Sequence, residues 1–318
     1  MSARKFRLLI LSTLLAVVLY LVVVFTSDLD AIRSILSRLE MWELGLIFGL
    51  SLLNYGLRFV RWHWYARTLG HVVPIRANLI SYLAGFAFTM TPGKAGEAIR
   101  SLYLKSQGVG YSDSLALFFT ERLLDVMAMI FLAGLAIFQF KNFGELIIGC
   151  GTSIMLMVLI LRHALFQGWL QGVSYRIAPA RLRPVANHLF SLLSSSAALL
   201  QTPIFFGGLL LGLLAWGAEG IALHYILTFI GLESSTSVAI GIYAISILAG
   251  ALSFIPGGLG GTEAMMGLLL MRAGADPTGA VAATLLCRIA TLWFAVFIGI
   301  LAMAGLEARK WFTTEIIQ

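Results

Sequence analysis

Charge is scarce in this chain. Asp, Glu, Lys and Arg make up 12% of its 318 residues, apolar residues make up 59%, and the mean hydropathy is +0.93. Soluble domains carry about 25% charged and about 45–50% apolar residues. A water-soluble fold is therefore excluded, and the long apolar runs point to an all-α polytopic membrane protein. Cysteine is nearly absent. Cys150 and Cys287 both lie in apolar segments and read as packing residues, which leaves no disulfide framework and no metal-ligand spacing. No stretch is polar enough for a separate soluble domain. No nucleotide-binding motif occurs, so ATP drive by this chain, a cofactor and a nucleic-acid partner are not expected. Proline is rare too, with seven residues in all, so its positions carry information.

Two of those prolines interrupt apolar sequence together with glycine. The first break is Thr91-Pro92-Gly93-Lys94-Ala95-Gly96-Glu97. The second is Ser253-Phe254-Ile255-Pro256-Gly257-Gly258-Leu259-Gly260-Gly261-Thr262-Glu263. Pro removes a backbone donor and Gly removes conformational bias, so helices stop there. Broken backbone at membrane depth persists only inside protein or beside a water-filled cavity. A carboxylate next to such a break, Glu97 or Glu263, is costly in lipid and marks a candidate functional site.

In chain order, residues 8–26 follow Arg4, Lys5 and Arg7 and read as an uncleaved first span. The run is too long for a signal-peptide core, and no small-x-small site follows it. Residues 42–65 form the second span, in which Asn54, Arg58, Arg61 and Tyr65 share one helical face. Arg67 and Arg76 read as arginines reaching cytoplasmic headgroups; Arg58 and Arg61 either do the same or line a polar cavity. Residues 79–90 are too short to cross a bilayer. With the limb at 95–105, which carries Glu97, Arg100 and Lys105 and is capped by Thr91, they read as a re-entrant hairpin over 79–105. Residues 114–140 form a span carrying Glu121, Arg122 and Asp125, either a local ion-pair cluster or the lining of a buried pathway. Residues 145–161 return across the membrane.

Residues 163–201 are basic and aromatic, split by Pro179 and Pro184, and read as a cytoplasmic amphipathic elbow on the anionic leaflet. Residues 203–230 carry Glu219 near their middle, which must be protonated, paired across helices or facing water. Residues 238–254 and 263–272 flank the second break as another re-entrant hairpin, over 238–273. Residues 278–306 are the last span, with Arg288 well inside it.

The basic clusters at 4–7, 58–76, 162–183 and 309–310 place both termini in the cytoplasm under the positive-inside rule. The expected fold is a single domain over 1–318 with six spans and two re-entrant hairpins. One half covers about 1–162 and the other about 202–318, joined by the elbow. Pro92 precedes Arg122 by 30 positions (122 − 92) and Pro256 precedes Arg288 by 32 (288 − 256). Each unit thus reads as span, Pro-Gly break, Glu, short limb and a span with an intramembrane Arg. Because the units enter from opposite faces, the repeat is inverted, an architecture that puts a substrate near the midplane. Limbs that begin after Pro-Gly present free N–H groups to an anion.

Four segments carry a resemblance. They are Asn54 to Trp62 (NYGLRFVRW), Thr91 to Arg100 (TPGKAGEAIR), Glu121 to Asp125 (ERLLD) and Ile255 to Glu263 (IPGGLGGTE). With Glu219 and Arg288 they resemble the lysylphosphatidylglycerol synthase transmembrane, flippase-like family over nearly the whole chain. The resemblance implies a lipid flippase domain of the cytoplasmic (inner) membrane. In two-domain members that domain moves aminoacylated phosphatidylglycerol to the outer leaflet. With the chain stopping at Gln318, no aminoacyl-transferase domain is expected with it. Stand-alone relatives are associated with polyprenyl-linked sugars, hopanoids and other lipids.

The expected function is therefore transport of a phosphate-containing lipid between leaflets, and not enzymatic. Arg58, Arg61, Lys94, Arg122 and Arg288 would contact the phosphate. Glu97, Glu121, Asp125, Glu219 and Glu263 would balance them, contact the head or carry protons. Asn54 and Arg100 complete the polar faces, and Pro92, Gly93, Gly96, Pro256, Gly257, Gly258 and Gly260 form the breaks. The alternative is a membrane glycosyltransferase using a polyprenyl-phosphate sugar, with one of the carboxylates as base. A scaffold anchored through the elbow is a third reading. The expected partners are the lipid itself and either a second copy or a lipid-modifying enzyme.

Overall fold

The structure, a computed structural model, describes residues 34, 37, 39–91, 97–136, 144–163, 166, 168, 172, 183–253 and 255–315. The expected first span at 8–26, the break residues Pro92, Gly93, Lys94 and Gly96, and most of the first part of the elbow lie outside the described residues. Everything described is helical or connecting chain. The helices are α1 (Met41–Thr68), α2 (Ile75–Ala84), α3 (Arg100–Lys105), α4 (Tyr111–Ala133), α5 (Gly144–Arg162), α6 (Arg183–Leu199), α7 (Thr202–Phe229), α8 (Thr236–Leu252), α9 (Gly261–Arg272), α10 (Pro277–Arg288) and α11 (Phe294–Glu315). Among the described residues, three helical stretches are long and apolar enough to cross a membrane: α1, α7 and the α10–α11 unit over Pro277–Leu306. Shorter apolar helices fill in between them.

Local chemistry sets the helix starts. Pro203 and Pro277 sit in the first turns of α7 and α10, where the missing N–H costs nothing. Asp276 accepts from Gly279 N at 3.0 Å, and Ser235 caps α8, which is why α8 begins at Thr236, ahead of the expected 238. The α2 limb likewise begins at Ile75, straight after Pro74, and tightens into a 3₁₀ turn over Gly85–Phe88 before the first break. The Thr91 hydroxyl donates to Phe88 O at 2.8 Å, back into the turn it follows. At the second break Gly257, Gly258 and Gly260 have φ of 65°, 66° and 80°, a region that favours glycine. Proline and glycine thus end α8 and restart the chain as the 12-residue α9.

α7 packs along α1 and α8, and α4 packs against α6, α7 and α8. The last helix, α11, lies on α2 and its 3₁₀ turn, so the first short limb is held by the end of the second half. α6 departs from the elbow expectation. Pro184 lies in its first turn and does not split it, and Ser196, Ala197, Leu199 and Leu200 are buried. Ser195 donates to Asp113 at 2.7 Å, so this part of the elbow is docked on α4. Its small residues allow the close packing that a surface-lying amphipathic helix does not need.

The polarity is inverted relative to a soluble protein. Leu52, Leu53, Phe206, Leu210, Phe297 and Leu301 point outward, each at least half exposed. Arg58, Arg61, Arg100, Glu97, Glu121 and Asp125 are buried. This is the arrangement a bilayer demands, with apolar surface toward the tails and charge toward the interior.

The contact of α11 with the first limb is testable at Gly299. A Cβ there would lie 2.6 Å from the Phe86 carbonyl carbon and 2.9 Å from Ala87 Cα, both backbone atoms. Gly299→Ala should cost about 3 kcal/mol, the upper end for overpacking. Gly305→Ala, on the same helix with open space around it, should be neutral. Thermal unfolding in detergent compares the two.

Candidate functional site

The i, i+4, i+7 spacing of α1 delivers Asn54, Arg58 and Arg61 to the side facing α4 and α7. There they meet Glu121, Arg122 and Asp125 of α4 and Glu97 and Arg100 from beyond the first break. Arg61 pairs with Asp125 and also donates to Gly208 O of α7. Arg58 Nη2 lies 3.4 Å from Glu121, 3.9 Å from Asp125 and 4.0 Å from Glu97. Arg122 Nη2 lies 3.2 Å from both Glu121 and Asp125 and 3.7 Å from Glu97. Arg100 spans Glu97 at 2.7 Å and Glu121 at 3.0 Å, and its guanidinium sits 4.0 Å over the Tyr82 ring. Tyr82 and Thr89 donate to Glu121 and Glu97 at 2.8 and 3.1 Å.

The result is one network of four guanidiniums and three carboxylates. An isolated charge in this environment would be untenable; mutual pairing and extra hydrogen bonds make the burial possible. The local ion pair that α4 suggested by itself is therefore part of a four-segment cluster.

A second, smaller cluster forms at the other break. Arg288, at the end of α10, donates to Glu263 of α9 at 2.7 Å and to Gly257 O at 2.8 Å. The break carbonyl and the carboxylate after the break are thus both held by one guanidinium. A π-turn over Ile289–Trp293 follows directly, and Tyr55 of α1 donates to Thr291 O within it at 2.8 Å. Such turns leave a backbone carbonyl free for an outside donor, and here the donor comes from the other half.

Between the two clusters lies a cavity of about 310 Å³. Its polar lining includes Asn54, Arg58, Arg122, Asp125, Glu219 and Arg288, and its apolar lining Val126, Met129, Ile247, Leu248, Ala251 and Leu292. Glu219 accepts from Ser51 at 3.4 Å. Gly257 and Gly258 border the cavity, whereas Pro256 and Gly260 do not. Of the arginines expected to share a ligand, Arg58, Arg122 and Arg288 reach the wall, and Lys94 lies outside the described residues. Arg61 does not reach it. It is completely buried one turn further along α1 and spent on Asp125 and Gly208. Arg100, Glu97, Glu121 and Glu263 likewise stand behind the wall as partners of the residues that form it.

Sequence reasoning missed Tyr55 and Tyr243, which line the cavity. Tyr55 was visible as the neighbour of Asn54; Tyr243 sits in an apolar helix with no signal around it. No group of three or more His, Cys, Asp or Glu suited to a metal occurs among the described residues.

The network makes Arg100 a structural keystone. Arg100→Ala should cost about 3–5 kcal/mol, because Glu97 and Glu121 would stay buried with less compensation. Adding Glu97→Gln should recover part of that loss. Thermal unfolding of the two single variants and the double variant in detergent measures the coupling.

Comparison with known proteins fits this inside-out organisation. A "UPF0104 membrane protein" of Methanothermobacter thermautotrophicus is 26% identical, over 77% of this chain and 79% of its own length. The "UPF0104 membrane protein PH1989" of Pyrococcus horikoshii is 22% identical over 90% of this chain and 93% of its own. The family described as "Lysylphosphatidylglycerol synthase TM region" matches residues 9–299. The chain, with its charged core and apolar exterior, belongs to the lysylphosphatidylglycerol synthase transmembrane family of multi-pass membrane proteins.

Proposed function

We propose that this protein is a lipid flippase, moving a phosphate-bearing lipid head between leaflets of the cytoplasmic membrane through the cavity between its halves. The observation that carries this reading is the mixed lining of the cavity. Guanidiniums from α1, α4 and α10 line it together with apolar side chains of α4, α8 and the turn after α10. A phosphate suits the guanidiniums and acyl or prenyl chains suit the apolar groups. Membership of a family linked to lipid modification and flipping supports the same reading.

The two halves act as an inverted repeat in this proposal, each with a re-entrant limb. Supporting it, Glu97 precedes Arg122 by 25 positions (122 − 97) and Glu263 precedes Arg288 by 25 (288 − 263). Both carboxylates approach the arginine at that same interval, at 3.7 and 2.7 Å. With both termini cytoplasmic, the first limb opens to the cytoplasm and the second to the outside. The glycosyltransferase alternative needs a carboxylate free to take a proton. Glu97, Glu121 and Asp125 are each held by guanidiniums, which favours transport.

Two measurements bear on this. In proteoliposomes, Glu263→Gln or Arg122→Ala should reduce lipid translocation at least about tenfold, a change worth about 1.4 kcal/mol, while the protein remains folded by size-exclusion chromatography. Unchanged transport in both variants would remove the cavity from the pathway. Single cysteines replacing Pro92 and Pro256 should be labelled by an impermeant reagent from opposite sides of the membrane. Labelling of both from one side would end the inverted arrangement.

A further inference from the structure

Among the described residues, acidic and guanidinium side chains around the cavity are equal in number. Counting those buried or on its wall among the described residues, the first cluster contributes four guanidiniums and three carboxylates. The second adds Arg288 and Glu263. Glu219, on α7, which accepts from the Ser51 hydroxyl, is the fifth acidic side chain beside five guanidiniums. In a low-dielectric interior an added net charge is costly unless something offsets it. A ligand with no net charge leaves the balance intact. An anionic head tips it by one unit, and a lysylated glycerophosphate head tips it by one unit the other way.

Both signs of charge reach the cavity. Arg58, Arg122 and Arg288 offer donors to an anion, while Glu219 brings a carboxylate to the same cavity. Tyr55 and Tyr243 line the cavity as well. A carboxylate and aromatic rings on one cavity are groups that receive ammonium ions. At about 310 Å³ the cavity is at the small end of ligand pockets.

Taking the cavity as the head-group site proposed above, we infer that it is built for a small zwitterionic phosphoammonium head. The phosphodiester faces Arg58, Arg122 and Arg288, and the ammonium lies beside Glu219, Tyr55 and Tyr243. Glu219 is then the specificity-determining residue. Removing its charge leaves the core with one surplus guanidinium, so the favoured ligand becomes an anion.

Binding by the full chain in detergent tests this with short-chain dihexanoyl lipids. Wild type should bind dihexanoyl phosphatidylethanolamine about tenfold tighter than dihexanoyl phosphatidylglycerol. Glu219→Gln should reverse the order. Wild type preferring phosphatidylglycerol would overturn the inference even if the variant does not fold. An order unchanged in a folded Glu219→Gln protein would overturn it as well.

Glycerophosphoethanolamine separates lipid from soluble head. Weaker binding than the lipid supports a membrane ligand, and equal binding would overturn the lipid as the source. The same lipids in a proteoliposome transport assay keep the two proposals apart. Selective binding without transport would sink the flippase reading alone. Transport confined to phosphatidylglycerol would sink the zwitterionic head alone.

Discussion

The structure depends on placing guanidinium and carboxylate groups together where water is scarce. Each of these groups alone would be expelled from a membrane interior. Held within 4.0 Å of one another across α1, α4 and the segment from Glu97 to Arg100, they can stay. The pairing sets a strict geometry, because moving one helix leaves a charge uncompensated on another. The cluster therefore fixes the register of the helices that meet at it, which apolar packing between lipid-solvated helices does weakly.

The breaks follow from the same requirement. α4 and α10 each carry an arginine into the interior, and an unbroken helix beside it would present only side chains. Interrupting the chain near Gly257 exposes a carbonyl, and Arg288 takes it together with Glu263. The glycines at positive φ let the backbone turn back far enough for both contacts. Broken backbone and buried arginine thus satisfy each other, and neither is stable at that depth without the other.

Much of this was legible in the sequence. The face of α1 follows from the spacing of Asn54, Arg58, Arg61 and Tyr65, and all four are buried. The helix breaks follow from proline and glycine. Depth was harder to read. Arg58 and Arg61 look alike in sequence, yet one reaches the cavity and the other is consumed by Asp125 and Gly208. Which residue faces the gap is decided by the neighbouring helices, and periodicity carries no record of them. An equal spacing at the two breaks was hidden by the choice of origin. Counting from proline gives unequal intervals, because the glycine-rich insert after Pro256 is longer. Counting from the carboxylates, which touch the arginines, gives equal ones. The docking of α6 on α4 was hidden because a mildly amphipathic helix looks the same against protein or a leaflet.

The cavity's position explains its mixed lining. It lies where the polar faces of α1, α4 and α10 converge, so it inherits part of the ion network. α8 adds apolar side chains, and on α4 Val126 and Met129 follow Arg122 and Asp125 along the same helical face. One face carries both chemistries within two turns. The mixed character of the cavity is thus a by-product of how the ions are buried. Tyr55 joins the α1 wall to the π-turn after Arg288, so any motion that opens the cavity between the halves must strain or break that hydrogen bond. The residue that closes the gap therefore comes from the helix that supplies its charge.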